Sequence, residues 1–192
     1  DIDLETGNIS VEDLRRKITT KTSCIVPVHY AGVVADMDSI NDLAKTVEAY
    51  VVEDAAQAFN SRYNGRFAGT LGDMGCFSFH TTKSYSCGEG GALLIARDEW
   101  KESAHQIFEK GTDRRAVLLG QKAKYHWVSK GSSFGLSNIL AAKLFGQLNE
   151  IDHLQLARKR LFDSYRVMCE QLISEGVDIA PMNIPANVEA NY

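Results

Sequence analysis

The first half of the chain alternates between short apolar runs and stretches with helical spacing of apolar residues. Apolar runs occur at residues 23–28 (SCIVPV) and 50–52 (YVV), and the second leads directly into Glu53 and Asp54. Between them, residues 38–49 place apolar side chains three or four positions apart, which is the spacing of one face of a helix. A strand, a helix and a second strand in this order predict a parallel α/β unit with a right-handed crossover.

The same patterns predict further elements on both sides of this unit. Ser10 followed by Asp13 predicts a capped helix over residues 10–20. The runs CFSF and GALLIA predict two more strands, and the second is so continuously apolar that we expect both of its faces to be covered. Three more helices are predicted over residues 97–111, 136–151 and 152–176.

Two stretches lack such periodicity. Residues 60–75 are rich in glycine and polar side chains, and we interpret them as a loop. Residues 112–135, called the excursion below, have only weak periodicity, and long segments of this kind are usually functional or disordered. The predicted fold class is therefore α/β, with a mostly parallel sheet between helices.

Length and charge narrow the classes of partner. The 192 residues suffice for one domain with a sizeable core. A net charge of −4 favours neither nucleic acid nor an anionic membrane as a partner. No apolar run approaches the roughly 20 residues that span a bilayer, and the first ten residues lack the basic and apolar regions of a signal peptide.

The cysteines indicate the redox environment. Cys24, Cys76, Cys87 and Cys169 form no CxxC pair, so we expect no zinc site. They are also too scattered for a disulfide framework in a chain of this length. We therefore expect buried, reduced thiols in a cytoplasmic protein.

Charged side chains follow two of the predicted strands. Asp54 ends the YVVED run, and Lys83 follows the strand that ends at Phe79. Ligands of open parallel sheets bind at the carboxyl ends of the strands, so both side chains can face one crevice. A salt bridge is the ordinary alternative. The sharper hypothesis is pyridoxal phosphate (PLP), which a lysine binds covalently while a carboxylate keeps the pyridine nitrogen protonated.

Two neighbouring features are compatible with PLP. The hydroxyl of Ser78, five residues before Lys83, can hold a phosphate group. Gly88, Gly90 and Gly91 can let the backbone approach a bulky cofactor. Spacing alone leaves the salt bridge and the cofactor both open.

A long ordered pattern connects these residues. It runs from EDAAQ at 53–57 through GDMGCFSFH at 72–80 and TK at 82–83 to GEGG at 88–91. In this order the motifs resemble the DegT/StrS family of sugar aminotransferases, which are PLP enzymes of fold-type I. The run from Glu109 to Asp152 resembles one branch in particular, the dTDP-4-amino-4,6-dideoxygalactose transaminases.

The resemblance implies a role for each matching residue. Lys83 would bind PLP covalently and move the proton during transamination, and Asp54 would pair with the pyridine nitrogen. Gln57 would approach the phenolic oxygen side of the ring, and Ser78 would contact the phosphate. Ser133 stands where many members carry an asparagine that reaches the phosphate in the partner subunit.

The resemblance also implies a reaction. A nucleotide-linked 4-keto-6-deoxy sugar would be aminated, with glutamate as the amino donor. Amination at C-3 or of an aminocyclitol precursor is the alternative within the family, and an inactive fragment or regulatory relative is the alternative outside it. The family further implies a homodimer in which both subunits build each active site. Nucleic acid, membrane and metal ion have no part in this expectation.

A division of the chain follows from the same resemblance. Residues 1–150 would form the large PLP-binding domain without the family's N-terminal segment. Residues 151–192 would form a long helix and the start of the small C-terminal domain. The fold would thus be truncated at both ends, and we expect these 192 residues alone to be weakly active or inactive.

Several polar residues stay open between two interpretations. Glu53 can orient a neighbouring residue but is more typical of a structural acid at a strand end. His80 is more typical of a packed or hydrogen-bonded histidine than of a proton shuttle. A basic set can meet a nucleotide diphosphate or simply form a solvated loop: Lys110, Arg114, Arg115, Lys122 and Lys124.

Overall fold

The computed structural model describes the whole chain, Asp1–Tyr192. The strands are β1 (Cys24–Ile25), β2 (Tyr50–Asp54), β3 (Arg62–Tyr63), β4 (Arg66–Phe67), β5 (Met74–Ser78), β6 (Gly91–Ile95) and β7 (Val188–Glu189). The helices are α1 (Val11–Lys17), α2 (Met37–Thr46), α3 (Lys101–Phe108), α4 (Arg114–Leu118), α5 (Asn138–Leu148) and α6 (Ile151–Ser174). Short 3-10 turns occupy Tyr30–Gly32 and Asp98–Trp100.

Four strands form the main sheet in the order β1-β2-β5-β6. β1, β2 and β5 are parallel, which confirms the predicted α/β unit with α2 as its crossover. β6 is antiparallel to β5, because the connection of residues 79–90 contains no crossover helix. The expectation that both faces of β6 are covered is wrong, since Leu93 at its centre is 51% exposed.

A second sheet has three short strands in the order β4-β3-β7. β3 and β4 form a hairpin inside residues 60–75, so the interpretation of that stretch as a loop alone is wrong. The turn residues Asn64 and Gly65 have φ angles of 49° and 75°, as a two-residue type I′ turn requires. β7 pairs with the other edge of β3 and brings residues near the end of the chain back to this hairpin.

Three of the six helices begin where a side chain accepts a hydrogen bond from an N–H group of the first turn. The Ser10 hydroxyl accepts from the N–H of Asp13 at the start of α1, as the sequence predicts. Asp36 and Ser137 cap α2 and α5 in the same way. The helices predicted over residues 136–151 and 152–176 are confirmed as α5 and α6, whereas α3 starts only after a 3-10 turn. None of the helices combines the length and apolar character needed to span a membrane.

The excursion is folded back on its own ends. It contains α4, and two isolated bridges close it, one between Glu109 and Ser133 and one between Thr112 and Trp127. The side chain of Asp113 is buried inside the closed segment. Short-range closure of this kind gives the excursion a defined shape although its sequence has little periodicity.

Two buried apolar clusters hold the main sheet and the β5–β6 connection against the helices. In the larger one, Val51 of β2 and Ile25 of β1 pack against α2, whose Met37 and Ile40 are fully buried. The smaller one joins the β5–β6 connection to α5 through Phe79, Tyr85, Cys87 and Leu144. The connection that carries Lys83 is therefore anchored by a small core of its own.

Candidate active site

Asp54 lies at the carboxyl end of β2, opposite Cys76 of the parallel strand β5. Directly opposed side chains share a face of the sheet, and Ser78 follows on that same face two residues later. The Asp54 carboxylate accepts a hydrogen bond of 3.1 Å from the N–H of Ala56. Burial raises the pKa of the Cys76 thiol, and the Asp54 carboxylate beside it raises that pKa further. The sheet thus brings a carboxylate and a hydroxyl to the same edge.

Lys83 lies in the turn between β5 and β6. Its N–H donates to the C=O of His80 at 2.9 Å, and His80 forms an isolated bridge with Gly88. The ring of His80 is hydrogen-bonded to the Thr82 hydroxyl at 3.0 Å and lies 3.5 Å from Glu89. The interpretation of His80 as a hydrogen-bonded histidine is therefore confirmed.

A small pocket opens beside these strand ends. Its lining includes Gln57, Ser78 and Lys83, so three of the five predicted site residues share one cavity. Asp54 lies at the adjoining strand end and Ser133 lies in the excursion, and neither belongs to this lining. The remaining lining residues are Ala56, Phe59, Ser84, Tyr85 and Asn191.

Asn191 is a lining residue that the sequence patterns do not predict. Its side-chain amide donates to the C=O of Gln57 at 2.9 Å and to the C=O of Phe59 at 3.1 Å. It is buried against Gly32, where an added Cβ would collide with the Asn191 Oδ1. The Gln57 side chain in turn accepts from the N–H of Ala31 at 2.7 Å. These contacts join residues that no local motif relates, so only the tertiary fold reveals them.

Glu53, the residue before Asp54, points into the core. Glu53 and His29 are both fully buried, and their side chains are joined by a hydrogen bond of 2.8 Å. His29 Nδ1 accepts from the N–H of Ala35 at 3.2 Å, so Nε2 carries the proton and donates to Glu53. Three backbone N–H groups within residues 69–72 complete the shell at 2.5–2.7 Å. The interpretation of Glu53 as a structural acid is confirmed.

The glycines after Lys83 serve the packing of the protein itself. Gly88 has a φ of 102°, in the left-handed region. An added Cβ at Gly90 would lie 2.6 Å from Cys87 Sγ, and one at Gly91 would lie 2.9 Å from the Phe77 carbonyl oxygen. The close approach of protein atoms therefore accounts for the small size of Gly90 and Gly91, and the left-handed backbone accounts for Gly88. The approach of these glycines to a cofactor stays a prediction.

A second cavity, of about 240 Å³, lies at the excursion. Its lining combines two cations and two aromatic rings, namely Lys110, Arg114, Tyr125 and Trp127, with Glu109 and Thr112. The Lys122 ammonium is instead engaged by Asp113 at 2.5 Å, and Arg115 lies 3.8 Å from Glu102. Only part of the basic set therefore faces this cavity.

Comparison with known proteins identifies the family of this chain. The sequence profile of the DegT/DnrJ/EryC1/StrS aminotransferase family matches residues 1–183. The chain belongs to this family. It is 33% identical over 173 residues to GDP-perosamine synthase from Escherichia coli O157:H7, across 90% of the chain and 46% of that relative.

Solved structures confirm the fold of this family member. An aminotransferase from Psychrobacter cryohalolentis matches with a TM-score of 0.90 and 28% identity, over 100% of the chain and 51% of that structure. A structure assigned to a sugar aminotransferase from Streptococcus pneumoniae, in the PMP form, matches with a TM-score of 0.85 and 25% identity, over 100% of the chain and 53% of that structure. The chain spans about half the length of these relatives.

The groups present at the pocket fit PLP. This cofactor needs an amine to bind its aldehyde, donors for its phosphate and a carboxylate for its ring nitrogen. Lys83 and Ser78 line the pocket with an amine and a hydroxyl, and Asp54 stands at the adjoining strand end. The donor set of this family member therefore matches the cofactor's chemistry.

Proposed function

We propose that this family member contributes to a PLP-dependent aminotransferase that aminates a nucleotide-linked keto sugar. The observation that carries the proposal is the pocket shared by Lys83, Ser78 and Gln57 at the carboxyl ends of two parallel strands. When bound, PLP supplies an electron sink for the carbon that gains or loses the amino group. The chain's own residues supply binding, orientation and proton transfer.

Each site residue has a proposed task. The Lys83 amine is the group that binds the cofactor aldehyde and, when released, holds and returns the proton within the pocket. Asp54 would keep the ring nitrogen protonated, because a carboxylate at the strand end stabilises a positive charge there. The Ser78 hydroxyl would donate to the phosphate. Gln57, fixed through its own side chain and backbone, would approach the ring's phenolic oxygen.

The nucleotide-linked substrate is supported by two observations. The similarity to a GDP-perosamine synthase supports a sugar carried on a nucleotide. The cavity of the excursion offers Lys110 and Arg114 for a diphosphate and the rings of Tyr125 and Trp127 for stacking. The resemblance of residues 109–152 favours a dTDP-linked 4-keto-6-deoxy sugar, with glutamate as amino donor. A C-3 keto sugar, an aminocyclitol precursor and an inactive relative are the alternatives.

Assembly and location belong to the same proposal. We propose a homodimer in which Ser133 of one copy reaches the phosphate site of the other, because Ser133 does not line the pocket of its own chain. Residues 1–150 would form the large domain, and residues 151–192 would begin the small one. All four cysteines are free thiols, which suits a reducing cytoplasm. The expectation that they are buried is wrong except for Cys87, since Cys24 is exposed and Cys76 and Cys169 are partly exposed.

The cofactor site is tested by trapping. The protein is mixed with PLP, reduced with borohydride and mapped by mass spectrometry. We expect the label on Lys83 alone, and a much weaker label in Asp54→Asn but not in Asp178→Asn, an exposed control. Label scattered over surface lysines would overturn the proposed site.

The substrate is tested separately. Protein carrying pyridoxamine phosphate is incubated with dTDP- and GDP-linked 4-keto-6-deoxy sugars, and the products are weighed by mass spectrometry. Amination of the dTDP sugar is the expected reaction, and these 192 residues alone are expected to perform it weakly or not at all. Preference for a C-3 keto sugar or for a cyclic ketone without nucleotide would support the other family reactions. Specific labelling of Lys83 without amination of any ketone would support the inactive relative.

A further inference from the structure

The turn that carries Lys83 is held from behind by a side chain of α5. The Oε1 of Gln147 accepts a hydrogen bond of 3.1 Å from the N–H of Ser86, and its Nε2 donates to the C=O of the same residue. One amide side chain therefore satisfies both backbone polar groups of Ser86, as a neighbouring strand would.

Helix α6 holds the residues between Lys83 and Ser86. The guanidinium of Arg158 donates through Nη2 to the C=O of Ser84 and lies 4.8 Å from the ring centroid of Tyr85. The hydroxyl of Tyr85, itself only 1% exposed, donates to the Oε1 of Gln155 at 3.3 Å. The segment after Lys83 is thus fixed by side chains from two helices.

The backbone hydrogen bonds within the turn do not include the residues that follow Lys83. The N–H of Phe79 donates to the C=O of Gly90, and the N–H of Cys87 donates to the C=O of Phe79, so the two ends of the turn are closed. No backbone–backbone hydrogen bond of the chain involves Ser84 or Ser86. The side chains of Gln147 and Arg158 are therefore what sets the backbone that follows Lys83.

We propose that Gln147 and Arg158 are positioning residues, which fix the backbone of residues 84–86 and thereby aim the Lys83 amine into the pocket. The inference rests on the proposed function, because that function supplies the cofactor that the Lys83 amine would bind. Neither residue lines the pocket, so both act through the backbone next to Lys83. A reactive group must be held close to its productive geometry, and a small displacement lowers its rate strongly.

Methionine substitutions test the proposal with matched controls. Gln147→Met and Arg158→Met keep an unbranched side chain of good helix propensity and remove the polar contacts. Lys143→Met on α5 and Arg160→Met on α6 are the controls, because both residues are exposed and neither side chain forms a hydrogen bond or ion pair. Arg158→Lys is the conservative variant, since an ammonium can still donate to the C=O of Ser84.

Three measurements are made on each variant: the rate of borohydride-trapped PLP labelling at Lys83, the pH midpoint of the absorbance of the PLP adduct, and amide exchange at residues 84–87. We expect the labelling rate to fall by about tenfold or more in Gln147→Met and Arg158→Met. The pH midpoint should shift and the amide of Ser86 should exchange faster. The two controls should behave like the unsubstituted protein, and Arg158→Lys should recover part of the labelling rate.

The outcomes separate this inference from the function on which it rests. Unchanged labelling and an unchanged pH midpoint in both methionine variants would overturn it, even if amide exchange at Ser86 increased. Scattered labelling of the unsubstituted protein would overturn the proposed function and this inference with it. If Gln147→Met does not fold, Gln147→Glu takes its place, because it keeps the acceptor for the Ser86 N–H and sets an anionic oxygen against the Ser86 C=O in place of the donor.

Discussion

Glu53 and Asp54 are consecutive carboxylates of β2 that face opposite sides of the main sheet and have opposite surroundings. Glu53 is fully buried and accepts four hydrogen bonds, one from His29 and three from backbone N–H groups. Asp54 is partly exposed and accepts one, from the N–H of Ala56. Alternation along the strand explains their different surroundings: Glu53 holds the sheet to its loops, whereas the Asp54 carboxylate is left accessible for the proposed contact with the cofactor.

Removing the charge of Glu53 should destabilise the fold. In Glu53→Gln, the new amide places a donor against N–H groups that need an acceptor, and we expect the free energy of unfolding to fall by about 3 kcal/mol. Urea denaturation measures the loss. Glu48→Gln is the control, because Glu48 is exposed and its side chain makes no hydrogen bond. Equal losses in the two variants would contradict the buried role of Glu53.

Two glycines without close neighbours should respond to alanine in opposite ways. Gly65 has a φ of 75° in the hairpin turn, and Gly146 lies inside α5, yet an added Cβ meets nothing within 4 Å at either site. Gly65→Ala should destabilise by about 1 kcal/mol through backbone strain. Gly146→Ala should stabilise by about 0.5–1 kcal/mol through helix propensity. Thermal unfolding of both variants checks the signs, and a shared sign would contradict the conformation of one site.

Tyr63 should make the protein less stable at high pH. Burial and the hydrogen bond of 2.9 Å from its hydroxyl to Asp36 raise its pKa to about 12 from the ordinary 10.0. The contribution of the neutral hydroxyl is complete below pH 10 and is lost as the pH rises towards 12. Denaturation curves across this range should fall more steeply for the unsubstituted protein than for Tyr63→Phe. Tyr165→Phe, at an exposed tyrosine, should leave the slope unchanged.

The excursion should open when Asp113 loses its charge. Its carboxylate accepts from the Lys122 ammonium at 2.5 Å and from the N–H of His126 at 2.6 Å, and these bonds hold its pKa below the ordinary 3.8. The stabilisation is present above pH 3.8 and is lost as the pH falls below it. Asp113→Asn should therefore show faster amide exchange in residues 112–135 at neutral pH, whereas Asp178→Asn should not. Unchanged exchange would mean that the bridges alone close the excursion.

The pattern of apolar and polar residues correctly predicted the elements that are long enough to show helical or strand periodicity. The helices α5 and α6 and the strand β2 have long or strongly apolar signatures, and they formed where expected. The hairpin of β3 and β4 was missed because strands of two residues are too short to show alternation. Its signal was nevertheless present, since the dipeptide Asn64-Gly65 is typical of a type I′ turn.

The antiparallel direction of β6 shows a second limit of prediction from the sequence pattern. An apolar run indicates a strand but carries no information about whether the strand is parallel to its neighbour. The length and content of the connection decide this, and residues 79–90 form a compact turn around Lys83 instead of a crossover helix. β6 is an edge strand with Leu93 open to solvent, so its continuous apolar run does not correspond to cover on both faces.

The pocket itself was predictable only in part. Lys83, Ser78 and Gln57 stand close to strand ends that the sequence shows, so their meeting follows from sheet topology. Asn191, Gln147 and Arg158 contact the same loops from distant parts of the chain. Such contacts depend on how the helices and the terminal segment pack against the sheet. No periodicity or motif in a single sequence indicates this packing.

The contact between Asn191 and the loop at Gln57 also determines when the pocket can be completed during protein synthesis. On the ribosome, β2, β5 and Lys83 are synthesised well before Asn191, and a contact across 134 positions cannot form until its later partner has left the exit tunnel. The nascent chain can build the sheet edge early, yet its pocket stays open on one side. A small molecule therefore cannot be enclosed there co-translationally until residue 191 has emerged.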